Sequence, residues 1–532
     1  MIQNPAPPRA GRREWIGLSV LALACLMYVM DLTVLHLAVP SLSADLEPSS
    51  AQLLWIIDIY GFMVAGFLVT MGTLGDRIGR RKLLFIGAAA FGMLSLLAAF
   101  AVSAEMLILS RALLGIAGAT LAPSTLSLIF TMFQDPGQRS RAIAVWISAF
   151  SAGSAIGPLL GGLMLEYFWW GSVFLLALPV MALLLILGPI TLPEYRDPNA
   201  GRLDLLSVAM SLIAVLTVIF GLKQFAQDGF GPMPAAFVFV GLVVGTLFVR
   251  RQLTLADPMI DVRLFRVPAF SASLAVNFLT IFVAIGYFIF VAQYLQLVLG
   301  LSPLEAGVWS VPSAIAFIVG SNAAPRLLRY IRPAFLIGIA LGVAAVGLGI
   351  LSRVGGADSD GLAIVVGSSV IISLGLAPVF GLTTELVVGS APPERAGAAS
   401  GISESAFELG GALGISILGS IGIAIYRREV ADALPAGVPP HAAVVAQDTL
   451  GGAVGVAQDL PAAVAATVLD VAQNAFVEGM QVAAAISSVL AVAVALFAVA
   501  VLRNVRAGST ESQPENPEPA RTSMDGVMAD PC

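Results

Sequence analysis

The sequence is poor in charge and has very little lysine, histidine or cysteine. Charged residues make up 11% of the 532 positions, whereas average soluble domains carry roughly 25%. So few charges cannot cover a water-facing surface, which excludes an ordinary soluble protein. The two cysteines, Cys25 and Cys532, lie in an apolar run and at the last position. We therefore expect no disulfide framework.

Motifs for several other chemistries are also missing. The sequence has no loop of the form G-x-x-x-x-G-K-[ST], which excludes an ATP-driven engine of that type. Neither His36 nor His441 has companions at metal-ligand spacing. We expect no metal, no cofactor, no enzymatic activity and no nucleic-acid partner.

Apolar residues dominate what remains. They make up 58% of the chain, and the mean hydropathy is +0.94. Runs of roughly 20 apolar residues match the thickness of the hydrocarbon core of a bilayer. This pattern predicts an all-α polytopic membrane protein embedded in lipid. The fourteen predicted spans are 15–39, 51–72, 83–103, 106–132, 142–165, 172–192, 205–226, 230–249, 268–299, 305–325, 334–352, 361–389, 397–425 and 479–502.

Polar breaks divide these spans into groups of six, two and six. The breaks predict two six-helix bundles with two helices inserted between them. The predicted regions are a cytoplasmic N-terminus (1–14), a first bundle (15–192), an insert with linkers (193–267), a second bundle (268–502) that includes an outer loop (426–478), and a disordered cytoplasmic tail (503–532).

The arginines predict the orientation. With the N-terminus inside, nearly all of them fall in cytoplasmic loops, and only Arg353, Arg427 and Arg428 fall outside. The sequence therefore predicts cytoplasmic termini, in a bacterial cytoplasmic membrane. The outer loop 426–478 has helical spacing over 462–476. It predicts either an amphipathic hairpin that shields the exit or a packed decoration with no transport role.

Ionisable residues inside a bilayer cost free energy, so each of them needs a reason. Five of those within predicted spans are candidates for proton coupling or cation binding: Asp31, Asp58, Arg111, Glu404 and Glu408. Glu404 and Glu408 are four residues apart, which places both carboxylates on one face of a helix.

Each of these acids also has a structural interpretation. Loss of water favours the protonated acid, and a nearby arginine favours the carboxylate, so Asp31 suits a proton or cation site as well as a hydrogen-bonded core role. The carboxylates of Glu404 and Glu408 repel each other, so one of the two holds a proton more tightly. Asp58 is either a third site or an acid solvated by the outer water.

Glycines supply a second signal. Residues 153–162 place small side chains four apart around a proline, which suits close helix contact and a bend. The candidates for helix packing are Gly153, Gly157, Pro158, Gly161 and Gly162. Gly410, Gly411, Gly414 and Gly419 repeat the pattern beside the two glutamates.

The loop 72–82 resembles the signature of the major facilitator superfamily between its second and third helices. The matching positions include Gly72, Asp76, Arg77, Gly79, Arg80 and Arg81. The resemblance implies that this loop latches the cytoplasmic side of the two halves. Arg111 with Gly115 and Gly118 resembles the proton-coupling motif of the fourth helix. The run 153–162 resembles the motif of exporters.

Further segments resemble the fourteen-helix drug:proton antiporters. They are Met30–Val34, Trp55–Tyr60, Trp169–Phe174 and Ser403–Gly411. The resemblance covers the chain from Trp15 to Arg503. Within the family, the sequence is similar to exporters of quaternary ammonium compounds, methyl viologen and cationic dyes. It departs at the tenth helix, where some relatives carry an acid and 306–325 does not, which weakens the expectation for divalent cations.

We therefore expect a proton-coupled exporter of lipophilic cations that is functional as a monomer. Its partners are small cationic drugs, protons and the bilayer. Six aromatic residues are candidates for the cavity wall, with lipid contact as the alternative for each: Tyr28, Trp55, Phe150, Tyr287, Trp309 and Phe407. The rival functions are export of one endogenous solute or natural product, and a membrane sensor that moves nothing.

Overall fold

A computed structural model gives the fold of the chain. It describes residues 9–194, 196, 204–228, 231–255, 258, 262–356, 360–390, 396–435 and 437–503. The predicted disordered tail lies outside these residues, apart from Arg503. Every regular element in the described ranges is a helix.

The first group of helices forms one half of the molecule. It comprises α1 (Arg12–Leu46), α2 (Ser50–Ile78), α3 (Arg80–Ala99), α4 (Ala104–Gly118), α5 (Leu121–Met132), α6 (Pro136–Tyr167), α7 (Ser172–Leu175) and α8 (Ala177–Thr191). The inserted pair is α9 (Leu205–Asp228) and α10 (Pro232–Thr254).

A short 3-10 helix, Val262–Arg266, leads into the second half. The second half comprises α11 (Pro268–Gln293), a π-helical turn (Tyr294–Val298), α12 (Pro303–Leu327), α13 (Pro333–Leu351), α14 (Gly361–Gly389), α15 (Ala396–Gly414), a second π-helical turn (Ile415–Gly419), α16 (Ser420–Ala433), α17 (Pro440–Asp448), α18 (Leu450–Ala457) and α19 (Ala462–Leu502).

The all-helical membrane fold is confirmed. Twelve segments among the described residues are long and apolar enough to cross a bilayer. The count of fourteen spans stays a prediction. The last helix begins earlier than the predicted 479, because α19 continues the apolar pattern back to Ala462 in the outer loop.

The second long helix of each half begins in the same way. Ser49 caps α2 and exchanges hydrogen bonds with Gln52, and Ser302 caps α12 and exchanges them with Glu305. Each pair satisfies amide groups that the first helical turn leaves free. The repeated cap marks α2 and α12 as equivalent helices in the two halves.

Glycines bring equivalent helix pairs into backbone contact. A Cβ on Gly153 of α6 would lie 2.7 Å from the Leu26 carbonyl oxygen of α1. A Cβ on Gly414 of α15 would lie 2.4 Å from the Phe282 carbonyl oxygen of α11. Only glycine fits such distances, so these small faces set how closely the helices approach.

The two halves also touch each other through glycine. A Cβ on Gly162 of α6 would lie 2.5 Å from the Pro303 carbonyl oxygen, and one on Gly307 of α12 would lie 2.7 Å from that of Pro158. Gln296 Nε2 donates to the Leu37 carbonyl across the same gap at 3.1 Å. These contacts lie toward the end that holds the α1–α2 connection, so the halves are closed there.

The inserted helices lie beside the contact between α2 and α15. The Trp55 ring of α2 is 6.1 Å from the Phe220 ring of α9, and Phe62 packs with Ile219 and Leu413. α9 therefore covers one seam between the halves.

An ion pair joins the ends of the inserted helices. Arg251 Nε donates to Asp204 Oδ2 at 2.8 Å, and the Ser207 hydroxyl donates to the same oxygen at 2.6 Å. These hydrogen bonds hold the pKa of Asp204 well below its ordinary value. Its contribution to stability is therefore present above about pH 4, the ordinary aspartate value, and is lost as the pH falls through the folded value.

Arg251→Gln should lower the free energy of unfolding slightly, because solvent screens a partly exposed pair. Thermal unfolding in detergent micelles near neutral pH measures the effect. Arg250 is the exposed neighbour, so Arg250→Gln is the matched control and should change little. The difference between the variants should shrink below about pH 4. Equal effects of both substitutions near neutral pH would contradict the pairing.

Gly414→Ala should destabilise the chain by about 1–3 kcal/mol, because the added methyl group meets backbone that cannot move aside. Gly342 on α13 has open space at its Cβ position. Gly342→Ala should therefore stabilise by up to about 1 kcal/mol through the entropy of the unfolded chain. Thermal unfolding of the two variants tests the close approach of α15 and α11, and a shift in the same direction for both would refute it.

Candidate functional site

The two acids of α15 lie at the contact between the halves. Glu408 is 5% exposed, and its Oε1 accepts a hydrogen bond of 2.7 Å from the Tyr28 hydroxyl of α1. Tyr28 is 1% exposed. This bond joins a membrane-embedded acid of the second half directly to the first half.

Glu404 lies one turn before Glu408 and is in a different environment. Its side chain is half-buried, and it makes no hydrogen bond or ion pair with a described residue. It lies within electrostatic reach of Tyr28 and Cys25 on α1. Glu404 is therefore the acid of the pair whose carboxylate is not already bound by a described residue.

A second acid is paired inside the first half. Asp31 of α1 and Arg111 of α4 form an ion pair, and they are 5% and 1% exposed. Arg111 Nε also donates to the Ile56 carbonyl oxygen at 3.3 Å. Because both charges are out of water, each stabilises the other's ionised form.

Tyr60 connects the two acidic sites. The Arg111 guanidinium lies 4.7 Å from the centre of the Tyr60 ring, a cation–π contact. The Tyr60 ring is in turn 6.2 Å from that of Tyr28. Asp31, Arg111, Tyr60, Tyr28 and Glu408 therefore form one continuous set of contacts from α4 to α15.

Asp58 forms a further contact between the halves. It is 1% exposed, and the Ser416 hydroxyl of the π-helical turn after α15 donates to its Oδ2 at 2.6 Å. The structure therefore places Asp58 in the interior and not in the outer water.

The loop between α2 and α3 is tied to the end of α8. Gly79 has a φ of 110°, and a Cβ there would lie 2.5 Å from Glu194 Oε1. Arg81 Nη1 donates to the Leu192 carbonyl oxygen at 2.9 Å, and its Nε reaches Glu194 at 3.4 Å. These partners all belong to the first half. Arg80 is buried and Arg77 exposed; the side chain of Asp76 lies outside the description.

The glycines of the run 153–162 line two contacts. Gly153, Gly157 and Gly161 face α1, where a Cβ on Gly161 would lie 2.3 Å from Val34 Cγ2. Gly162 faces α12 in the other half, and the Pro158 carbonyl faces Gly307. The motif therefore joins α6 both to its own half and to the second half.

The candidate aromatic residues lie in different environments. Tyr28 reaches the acids, whereas Trp55 packs toward α9. Phe407 is half-buried beside Phe380, and Tyr287 is buried and stacked on Phe288. Trp309 is 42% exposed. The side chain of Phe150 is not among those described.

Sequence reasoning did not assign roles to Tyr60, Ser416 or Glu194. Tyr60 is two residues after Asp58 in an apolar run, and Ser416 is a lone hydroxyl among glycines and aliphatic residues. For Tyr60 and Ser416, the signal that could have found them was a polar side chain within a predicted apolar span. Glu194 is the first acid after α8. No group of three His, Cys, Asp or Glu side chains in the described ranges is placed to hold a metal ion.

Two helical halves that meet around buried acids and a buried arginine define a polytopic membrane transporter of the two-bundle type. The chain belongs to the Major Facilitator Superfamily, whose family model matches residues 21–415. The family membership predicted from the loop 72–82 is thereby confirmed.

Several curated relatives match along most of their length. The chain is 44% identical over 492 residues to the multidrug efflux pump LfrA of Mycolicibacterium smegmatis, covering 92% of this chain and 97% of that protein. It is 35% identical to the methyl viologen resistance protein SmvA of Salmonella typhimurium, covering 88% and 94%. It is 32% identical to the tetracenomycin C resistance and export protein of Streptomyces glaucescens, covering 98% and 97%.

A solved structure supports the fold. The crystal structure of a bacterial homologue of the human lysosomal transporter Spinster, in an inward-facing and unoccupied conformation, matches with a TM-score of 0.64 at 18% identity. The match covers 93% of this chain and 98% of that chain. At this identity the likeness shows the shared fold alone.

Arg111→Leu should cost about 3–5 kcal/mol of stability, because it leaves Asp31 buried without its partner. The double variant Asp31→Leu, Arg111→Leu should be more stable than Arg111→Leu alone, since it removes both charges. Thermal unfolding of the purified variants measures their order of stability. A double variant that is as unstable as the sum of the two single variants would show that the ion pair has no such role.

Proposed function

We propose that this chain exports lipophilic organic cations from the bacterial cytoplasm in exchange for protons. The observation that carries the proposal is the Tyr28–Glu408 hydrogen bond, which links an acid of one half to the other half. Glu404, one turn away, retains the capacity to bind a cation. A carboxylate that binds either a proton or an organic cation is the simplest basis for exchange.

The buried charges suggest an order of events. A cation that enters from the cytoplasm pairs with Glu404 while Asp31 stays paired with Arg111. Once the halves have turned outward, a proton from outside neutralises Glu408 or Asp31, and the loss of negative charge favours release of the cation. Protonation therefore competes with cation binding through one connected set of side chains.

The resting contacts fit export. The halves touch at the end that holds the α1–α2 connection, through Gly162 with Pro303 and Asp58 with Ser416. We place this end outside and both termini in the cytoplasm, as the arginine distribution predicts. We propose that the halves part at the opposite, inner end, where a drug in the cytoplasm enters. The two halves would alternate around this midplane site.

The driving force is sufficient for the work. One proton charge crossing 100 mV gains about 2.3 kcal/mol, and each pH unit adds about 1.36 kcal/mol. Moving a monovalent cation outward against the same potential costs about 2.3 kcal/mol. One proton therefore supports roughly a tenfold gradient at one pH unit, and two protons leave about 5 kcal/mol, enough for more than a thousandfold gradient.

The loop 72–82 is proposed to control the inner end. Its Arg81 is held by Glu194 within the first half. In an outward-open state this loop would bind the second half and close the cytoplasmic side. The relatives named for multidrug efflux and methyl viologen resistance support cationic substrates.

A second candidate is export of one natural product. The relative from Streptomyces glaucescens carries the name of a single compound, tetracenomycin C. A specialist of this kind would ignore unrelated cations, so a substrate panel separates the two functions.

Transport by the purified chain in proteoliposomes tests the coupling. With an imposed pH gradient, ethidium and methyl viologen should move against their gradients, and collapse of the gradient by an ionophore should stop the movement. Asp31→Asn and Glu408→Gln should each reduce coupled transport by roughly 10²-fold, the size of a lost proton-transfer group.

Asp470→Asn is the control, because Asp470 lies on the exposed part of α19 in the outer loop. It should transport at the normal rate. Normal export by both Asp31→Asn and Glu408→Gln would overturn the coupling scheme. Export of one compound only would replace the multidrug proposal by the natural-product candidate.

A further inference from the structure

Three aromatic rings from three helices form a row beside the acids of α15. The aromatic row consists of Phe317 of α12, Phe380 of α14 and Phe407 of α15. The centres of the Phe317 and Phe380 rings are 6.3 Å apart, and those of Phe380 and Phe407 are 5.5 Å apart in an edge-to-face arrangement. All three side chains are half-buried, so part of each ring remains accessible.

The three rings lie at one depth. Phe317 is ten residues before the end of α12, Phe380 nine before the end of α14, and Phe407 eleven after the start of α15. At about 1.5 Å per residue, each is roughly 14–17 Å from the same end of the bundle. This end is opposite the one that holds the α1–α2 connection, so the aromatic row lies toward the end where we propose that the halves open.

Glu404 stands next to this row. It precedes Phe407 by three residues, which places the two side chains on one face of α15. Its carboxylate makes no hydrogen bond or ion pair within the part of the chain that is described. Glu408, by contrast, is already bound by Tyr28. The row and Glu404 therefore combine accessible ring surface with one acid that lacks a partner.

Ring surface and an unpaired carboxylate together favour one class of ligand. An organic cation is attracted both to ring faces and to the acid, and the ring contribution grows when water is excluded. A flat aromatic cation also gains contact area along three rings, whereas a small alkylammonium ion touches at most one. A neutral aromatic molecule gains the contact area without the acid.

We propose that the aromatic row and Glu404 form a binding site for planar aromatic cations on the inner side of the molecule. This inference rests on the proposed export of cations, and it names the residues that select among them. Phe317 and Phe380 set the preference for flat rings, and Glu404 sets the preference for positive charge. An aliphatic quaternary ammonium ion reaches one ring at most, so the row adds little to its binding.

Equilibrium binding to the purified full chain in lipid nanodiscs tests the site. The probes are N-methylphenanthridinium, its neutral analogue phenanthridine, and tetraethylammonium. Phe317→Leu and Phe380→Leu should each weaken binding of the planar cation by about tenfold, the loss of one cation–π contact. They should leave tetraethylammonium unchanged. Glu404→Gln should weaken both cations and spare phenanthridine.

Two variants control for structure. Phe380→Tyr keeps a ring and should restore binding of the planar cation. Phe335 on α13 is 45% exposed in the same half and is not part of the row, so Phe335→Leu should bind all three probes normally. Thermal unfolding of each variant checks that the fold is intact.

The outcomes separate this site from the general function. Normal binding of N-methylphenanthridinium by Phe317→Leu and Phe380→Leu, in a chain that still exports ethidium with protons, would overturn the aromatic site and leave the exporter. Equal weakening of all three probes by the ring variants would overturn the selectivity. A chain that neither binds nor exports any cation would contradict the proposed function and this site with it.

Discussion

The structure depends on the free-energy cost of placing charge inside a bilayer. Water-free surroundings penalise an isolated ion far more than a paired one, so each buried acid needs a partner or a proton. Asp31 has Arg111, Asp58 has Ser416, and Glu408 has Tyr28. Two of these three bonds cross between the halves. The same cost that restricts acids in the membrane thus makes them the connectors of the two bundles, and a proton is the smallest species that can loosen such a connector.

Much of the fold could be predicted from the sequence because membrane helices are local features. Each needs only about 20 consecutive apolar residues, so their positions follow from composition along the chain. The spacing of Glu404 and Glu408 on one face, and the small faces of Gly157 and Gly414, are equally local, since helical periodicity fixes them. The loop 72–82 identified the family for the same reason. Helix ends were less accurate, as the early start of α19 at Ala462 shows.

The rest of the site depends on how the halves dock, which no local pattern contains. Tyr28 and Glu408 are 380 positions apart, and Asp58 and Ser416 are 358 apart. Trp55 illustrates the limit: its position in the sequence suggested a cavity wall, but the insertion of α9 supplies Phe220 as its neighbour. The aromatic row could not be predicted for the same reason. Phe317, Phe380 and Phe407 come from three helices and become neighbours only when the second half packs.

The two seams between the halves differ in what must be broken when they part. Along α6 and α12 the contact is glycine against backbone, at Gly162 and Gly307. Apolar packing of small residues dominates this joint, and the hydrogen bond from Gln296 to the Leu37 carbonyl adds to it. Along α2 and α15 a hydrogen bond to Asp58 must open, and α9 rests over the joint. Parting the first seam therefore exposes mainly apolar surface, whereas parting the second also strips a buried carboxylate of its hydrogen bond. The second seam is the costlier of the two to open.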